Sequence, residues 1–261
     1  MARRTDENIT VLAGTRDGLY LFDGDCTRTS WRQRGPFLPG CDVSHAILDH
    51  RDGRTMWAAA TGNGATAVYR SDDRGNTWRM SGSAWDVDQI WHVEPGHVSQ
   101  PWRVYAGVKP AALYRSDDGG ESWQELTGLT SHPSRPEWWE GGAGLILHTI
   151  EVDREDPNEL FVAMSVAGVF HSDDGGRSWT PRNDGVFSFA EGNQEAAFPE
   201  VHRCVHKLVR HPADPNVLYQ QNHMGVYRSD NRGASWVDIG AGLPSPFGFP
   251  IGITRDGSVF V

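Results

Sequence analysis

Short apolar runs alternate with polar punctuation along nearly the whole chain. Segments such as LHTIEV (147–152), ELFVAM (159–164), VHKLVR (205–210) and VLYQQN (217–222) follow the two-residue period of a strand. Asp-Pro-Asn turns separate them in pairs, and no stretch carries a sustained helical period. A third kind of run recurs: VYRSDDRGNTW ends at Trp78, LYRSDDGGESW at Trp123, VFHSDDGGRSW at Trp179 and VYRSDNRGASW at Trp236. A worn copy, LYLFDGDCTRTSW, ends at Trp31, so successive tryptophans lie 47, 45, 56 and 57 residues apart. Each copy predicts two short strands around a tight turn, with glycine free to take positive φ and an indole anchoring the returning strand. Asp72, Asp117, Asp173 and Asp230 are assigned to these turns, as structural acceptors of backbone N–H groups. With two more strands upstream, each unit holds four strands in roughly 40 to 60 residues, the size of a blade in a radial array.

The motif S-x-D-x-G-x-[ST]-W resembles the Asp box of sialidases and other BNR-repeat proteins, and the likeness covers nearly the whole chain. It implies an all-β β-propeller of four-stranded blades, with the box between the third and fourth strands on the face away from any active site. A single domain over 1–261 is expected, with blades near 9–34, 43–82, 90–126, 145–182 and 203–239 and the start of another at 247–261. Residues 9–34 supply only strands two to four of the first blade. Either residues 249–254 close the ring, or the chain is part of a six- or seven-bladed parent, which the apolar ending Val259-Phe260-Val261 favours.

Candidate chemistry falls in two places. Two inter-blade connections are long, 124–144 and 180–203, and long connections in compact domains usually carry function. They hold Arg135, Glu137, Trp138, Trp139, Glu140, Glu195, Glu200 and His202, expected at the top mouth of the central channel. Asn222 and His223, in a strand-two-to-three connection, should join them. Glu137, Trp138, Trp139, Glu200, His202, Asn222 and His223 are therefore the expected ligand-binding residues, with Trp85 and Trp91 as weaker candidates for stacking or packing. The second place is a column in the first strands, which read VSHAIL, IWHVEP, ILHTIE and CVHKLV and align His45, His92, His148 and His206. Four imidazoles near an axis suit a transition metal (iron, copper, zinc or manganese), with Glu94 and Glu151 as outer-shell acceptors. The same column also follows if each histidine packs between blades and bonds to its neighbour's backbone. Both readings stay open.

Composition narrows the partners. The net charge of −10, from 24 basic and 34 acidic residues without a basic cluster, argues against nucleic acid or an anionic membrane. The N-terminal segment has no apolar run of a secretory signal, and Cys26, Cys41 and Cys204 form neither a disulfide framework nor a zinc spacing, so a cytoplasmic location is expected. Sialidase chemistry is not supported: the family's F/Y-R-I-P motif is missing before the first intact box, where Arg3 and Arg4 are the only arginines ahead of the first strand. The resemblance implies a protein of the sialidase/glycosyl-hydrolase-like superfamily, with a small ligand, carbohydrate included, in a His-rich top pocket. The alternatives are a metal-dependent enzyme with an axial four-histidine site and a non-catalytic interaction scaffold.

Overall fold

The computed structural model describes residues 9–190 and 196–261. Nearly all regular structure is antiparallel sheet. The first sheet has three strands in sequential order, β1 (Ile9–Thr15), β2 (Gly18–Gly24) and β3 (Trp31–Phe37). Four four-stranded sheets follow, again sequential. They are β4–β7 (Cys41–Leu48, Met56–Gly62, Ala65–Ser71, Arg79–Met80) and β8–β11 (Gln89–Pro95, Val104–Lys109, Leu113–Ser116, Gln124–Glu125). Then come β12–β15 (Leu147–Val152, Leu160–Met164, Gly168–Ser172, Thr180–Pro181) and β16–β19 (Val205–Arg210, Leu218–Asn222, Gly225–Ser229, Val237–Asp238). A last hairpin, β20 (Gly252–Ile253) and β21 (Val259–Phe260), pairs with itself and not with the first sheet. No helix among the described residues is long and apolar enough to cross a membrane.

Sequential hairpins with two-faced burial explain the arrangement. The second strands β5, β13 and β17 are buried at nearly every position, so neither face of these sheets meets water. Each apolar cluster accordingly joins two consecutive sheets. Leu19 and Leu21 meet Val43 and Met56, and Trp57 and Val68 meet Ile90 and Val104. Tyr105 and Leu113 meet Leu147 and Phe170, while Phe161 and Val169 meet Leu208 and Tyr227. Val217 and Tyr219 meet Ile251. Stacking sheets face to face in chain order is the only way these strands lose both apolar faces to protein.

The Asp boxes hold their turns by side-chain bonds, one residue later than the sequence assignment placed them. Asp73 accepts the N–H groups of Asn76 (3.0 Å) and Thr77 (2.9 Å) and the Thr77 hydroxyl (2.7 Å), while Ser71 Oγ accepts Gly75 N–H (2.8 Å). Asp118 and Asp174 repeat the pattern, and Asn231 takes the place in the last copy, accepting Ser235 N–H at 2.9 Å. Hydrogen bonds from the Thr77 backbone and hydroxyl hold Asp73 at about 2, and Asp118 and Asp174 sit equally low. The expected turn residues Asp72, Asp117 and Asp230 instead pair on the surface with Arg70, with Arg103 and Arg115, and with Arg228. Asp173, with His171 where the other copies have arginine, makes no such pair among the described residues. The serine-spaced second position is the one that points back into the turn.

Each box is also seated in the sheet before it. A Cβ on Gly75 would lie 2.4 Å from Leu21 Cδ1, and one on Gly120 would lie 2.1 Å from Ser81 Oγ and 2.9 Å from Trp57. Ser81 Oγ donates to Gly120 O (2.6 Å), Arg70 to Gly119 O (2.7 Å) and Arg34 to Arg74 O (3.2 Å). Trp31, whose box has no described sheet on that side, is 44% exposed, whereas Trp179 and Trp236 are buried. Gly120→Ala should therefore cost about 1 to 3 kcal/mol of overpacking beyond the backbone strain of its positive φ. Gly64→Ala, also at positive φ but facing open space, should cost only about 1 to 2 kcal/mol. Urea denaturation of the two variants tests the difference, and equal losses would remove the seating contact from the account.

Candidate functional site

The first strand of each four-stranded sheet carries a β-bulge, which decides where its side chains go. Register shifts fall between Val43 and His45, Ile90 and His92, Leu147 and Thr149, and Val205 and Lys207. The extra residues are thus Ser44, Trp91, His148 and His206. The histidine column is not one structural position: His45 and His92 follow their bulges, whereas His148 and His206 occupy theirs. A bulge re-aims its extra side chain, and for Ser44, His148 and His206 the target is the backbone of the unit that follows. Ser44 Oγ donates to Ile90 O, His148 Nε2–H to Val205 O (2.9 Å) and His206 Nδ1–H to Gly248 O (2.6 Å). His45 Nδ1 accepts Val93 N–H (3.4 Å), and the His45 ring stacks on His92 at 4.1 Å. Burial holds His92 and His148 down at about 3, and burial also drives His45 well below its ordinary value. The imidazoles of the column thus make contacts between sheets, as the packing reading of the column expects. Among the described residues, Cys204, His206 and His223 are the only group of three or more His, Cys, Asp or Glu with donor atoms within 4.8 Å of one another.

The expected ligand residues on the long connections are largely consumed by structure. Trp138 is buried, its Nε1–H donating to Ser134 Oγ (3.0 Å) and its ring set against Phe170. Glu137 ties the two connections together, accepting Ala197 N–H (2.9 Å), Phe198 N–H (3.2 Å) and His202 Nε2–H (2.9 Å). The His202 hydrogen bond is the chief reason its carboxyl lies below the usual range. Trp139 Nε1–H donates to His202 Nδ1 (3.2 Å), which fixes the proton of that imidazole on Nε2. Asn222 is fully buried, and Glu200 interacts with His132. Trp85 packs on Tyr114 and Trp123. Glu195 lies outside the described residues.

What remains exposed on this face is aromatic. Trp139 meets Phe189 (6.2 Å), Phe189 meets Phe187 (5.4 Å) and His223 (5.6 Å), and His223 meets Phe247 (4.9 Å), which meets Phe249 (5.1 Å). Trp139, the four phenylalanines and Met224 are all exposed. Only His223, Trp139 and His202 of this shelf were expected; the phenylalanines lay in the connections but carried no motif.

A polar cavity of about 530 Å³ lies at the opposite end, lined by His50, Glu94, His97, Glu151 and Arg154 among others. This is the Asp-box face, since each box bonds to the turn after its sheet's first strand, as in Gly119 N–H to Trp102 O (2.8 Å). The His-rich pocket was expected at the top. Burial raises Glu94 to about 8, and burial together with repulsion from Glu94 raises Glu151 to about 7. His92 Nε2 lies 3.2 Å from Glu94 Oε2. Two carboxyls poised near neutrality are able to exchange protons with a bound molecule or with water.

The BNR/Asp-box repeat family matches residues 114–125, the box that ends just after Trp123. The fold matches an ancestral GH74 enzyme (TM-score 0.59, 20% identity, 82% of this chain and 26% of that one). The chain carries a BNR/Asp-box repeat on a β-propeller fold. It is also similar to the GH74 xyloglucanase from Xanthomonas campestris (TM-score 0.54, 17% identity, 90% of this chain and 44% of that one). A protein from Lactobacillus plantarum matches at TM-score 0.62 and 15% identity, over 96% of this chain and 74% of that one. The propeller thus spans less than half the length of either GH74 enzyme. No curated protein matches the sequence.

The buried acids give the propeller a pH signature. Glu94 and Glu151 bind protons more tightly folded than unfolded, so their contribution to stability is fully present below the ordinary glutamate value of 4.5 and is lost as pH rises through about 7 and 8. His92 and His148 act oppositely, adding stability as pH rises from about 3 to 6.5. Glu94→Gln with Glu151→Gln should flatten the decline between pH 6.5 and 8.5 and raise stability at pH 8. Denaturation midpoints across that range check this, and an unchanged slope would remove the raised acids.

Proposed function

We propose that the propeller binds a small, ring-bearing ligand of the carbohydrate class on its top face. The supporting observation is the continuous aromatic shelf of Trp139, Phe187, Phe189, Phe247 and Phe249 around His223. Exposed apolar surface costs free energy, so a gathered patch on a soluble-type fold marks a contact surface. Aromatic faces match the C–H faces of sugar rings, while the edges of His202 and His223 offer polar groups for hydroxyls. Glu137 and Trp138 support the shelf from beneath rather than touch the ligand, and Glu137 holds His202 in a fixed tautomer. The fold neighbours bear on architecture only, and the substrate of a GH74 enzyme is not carried over.

Trp139→Ala combined with Phe189→Ala should weaken binding of the best oligosaccharide on a glycan array by tenfold or more, about 1.4 kcal/mol. Trp102→Ala, an exposed indole on the Asp-box face, should leave it unchanged. Titration calorimetry with that oligosaccharide reads both. Equal affinity for the double variant, or no binder among neutral and acidic oligosaccharides, would overturn the reading.

A further inference from the structure

The fifth sheet differs from its neighbours in what surrounds its bulge residue. In the second and fourth sheets, Ser44 Oγ and His148 Nε2–H donate to the next sheet's backbone, and His148 Nδ1 meets the Thr149 hydroxyl at 3.0 Å. His206 donates forward through Nδ1–H, to Gly248 O at 2.6 Å, so its Nε2 carries the lone pair. It faces Cys204 Sγ at 3.5 Å. His223, in the turn between β17 and β18, completes the group, and its backbone N–H donates to Cys204 O (2.9 Å), tying turn and strand together. The His223 ring makes no hydrogen bond among the described residues, and its contacts are the rings of His206, Phe189 and Phe247.

We propose that Cys204, His206 and His223 form a three-donor site for a borderline-soft transition-metal ion, with Zn(II) as its reference ion, in the floor of the aromatic shelf. Tetrahedral coordination at ordinary Zn–N and Zn–S lengths sets neighbouring donors about 3.3 to 3.6 Å apart. The Cys204–His206 pair already has that separation, and all three donors lie within 4.8 Å. One thiolate and two imidazoles select zinc or copper over magnesium or calcium. A ligating imidazole whose other N–H is fixed by a carbonyl is the usual supporting arrangement, and His206 has it. All three donors are half-buried, so the ion's fourth position would open to solvent beside exposed Met224. The site lies at the top of one sheet, so it is distinct from the axial column, with which it shares only His206.

Tag-free full-length protein, stripped with chelator, is titrated with Zn(II) by calorimetry and with Co(II) by absorption. One equivalent should bind, and Co(II) should give tetrahedral ligand-field bands with a thiolate charge-transfer band. Cys204→Ser and His223→Ala should each weaken Zn(II) binding by at least about tenfold, while His97→Ala, on the Asp-box face, should not. Where a variant fails to fold, alkylation of the unaltered protein replaces it: Zn(II) should protect Cys204 while exposed Cys26 reacts at its own rate. No stoichiometric binding, a cobalt spectrum without thiolate, or a Cys204 alkylation rate indifferent to Zn(II) overturns the site. Sugar binding is measured separately on the stripped protein, so the metal and carbohydrate readings fail independently.

Discussion

The structure depends on burying both faces of each sheet. Strands such as Met56–Gly62 and Leu160–Met164 have no polar side to turn to water, so an isolated blade has no stable form and each must lie between two others. The Asp box makes that stacking specific. Its carboxylate closes a tight turn, its serine holds the glycine N–H, and the glycine, lacking a Cβ, lets the turn approach the sheet before it. Apolar area supplies the attraction, and the box sets the distance and the register.

Most of the architecture could be read from the sequence because large residues at regular intervals mark it. The five tryptophans and four intact boxes fix the number and order of the described sheets between residues 9 and 239. Details of one residue were not legible. In Ser71-Asp72-Asp73, both acids suit a turn, and only backbone geometry shows that Asp73 folds back while Asp72 meets Arg70. The histidine column left packing and metal binding both open for the same reason, because a bulge adds a residue without leaving a mark in composition. In Trp138-Trp139, adjacent identical side chains take opposite fates, the first locked under Phe170 and the second exposed. The phenylalanine shelf was missed because its members come from segments sixty residues apart that share no motif.

The two ends of the sheets have opposite chemistries. On the Asp-box face, burial raises the Glu94 and Glu151 carboxyls beside a polar cavity. On the other face, aromatic rings crowd around imidazoles and a thiol. The two long connections of the top face are joined by side chains such as Glu137, whereas each Asp box is pinned by a backbone bond to the turn beside it.

The seating contacts all run one way. Leu21 receives the box of the second sheet, Trp57 and Ser81 that of the third, Leu126 that of the fourth and Phe161 that of the fifth. Ser44, His148 and His206 likewise reach forward to the backbone that follows them. A blade thus carries the seat for its successor's box, while the apolar area between them serves both. Damage accordingly spreads both ways: loosening one unit uncovers an apolar face of each neighbour.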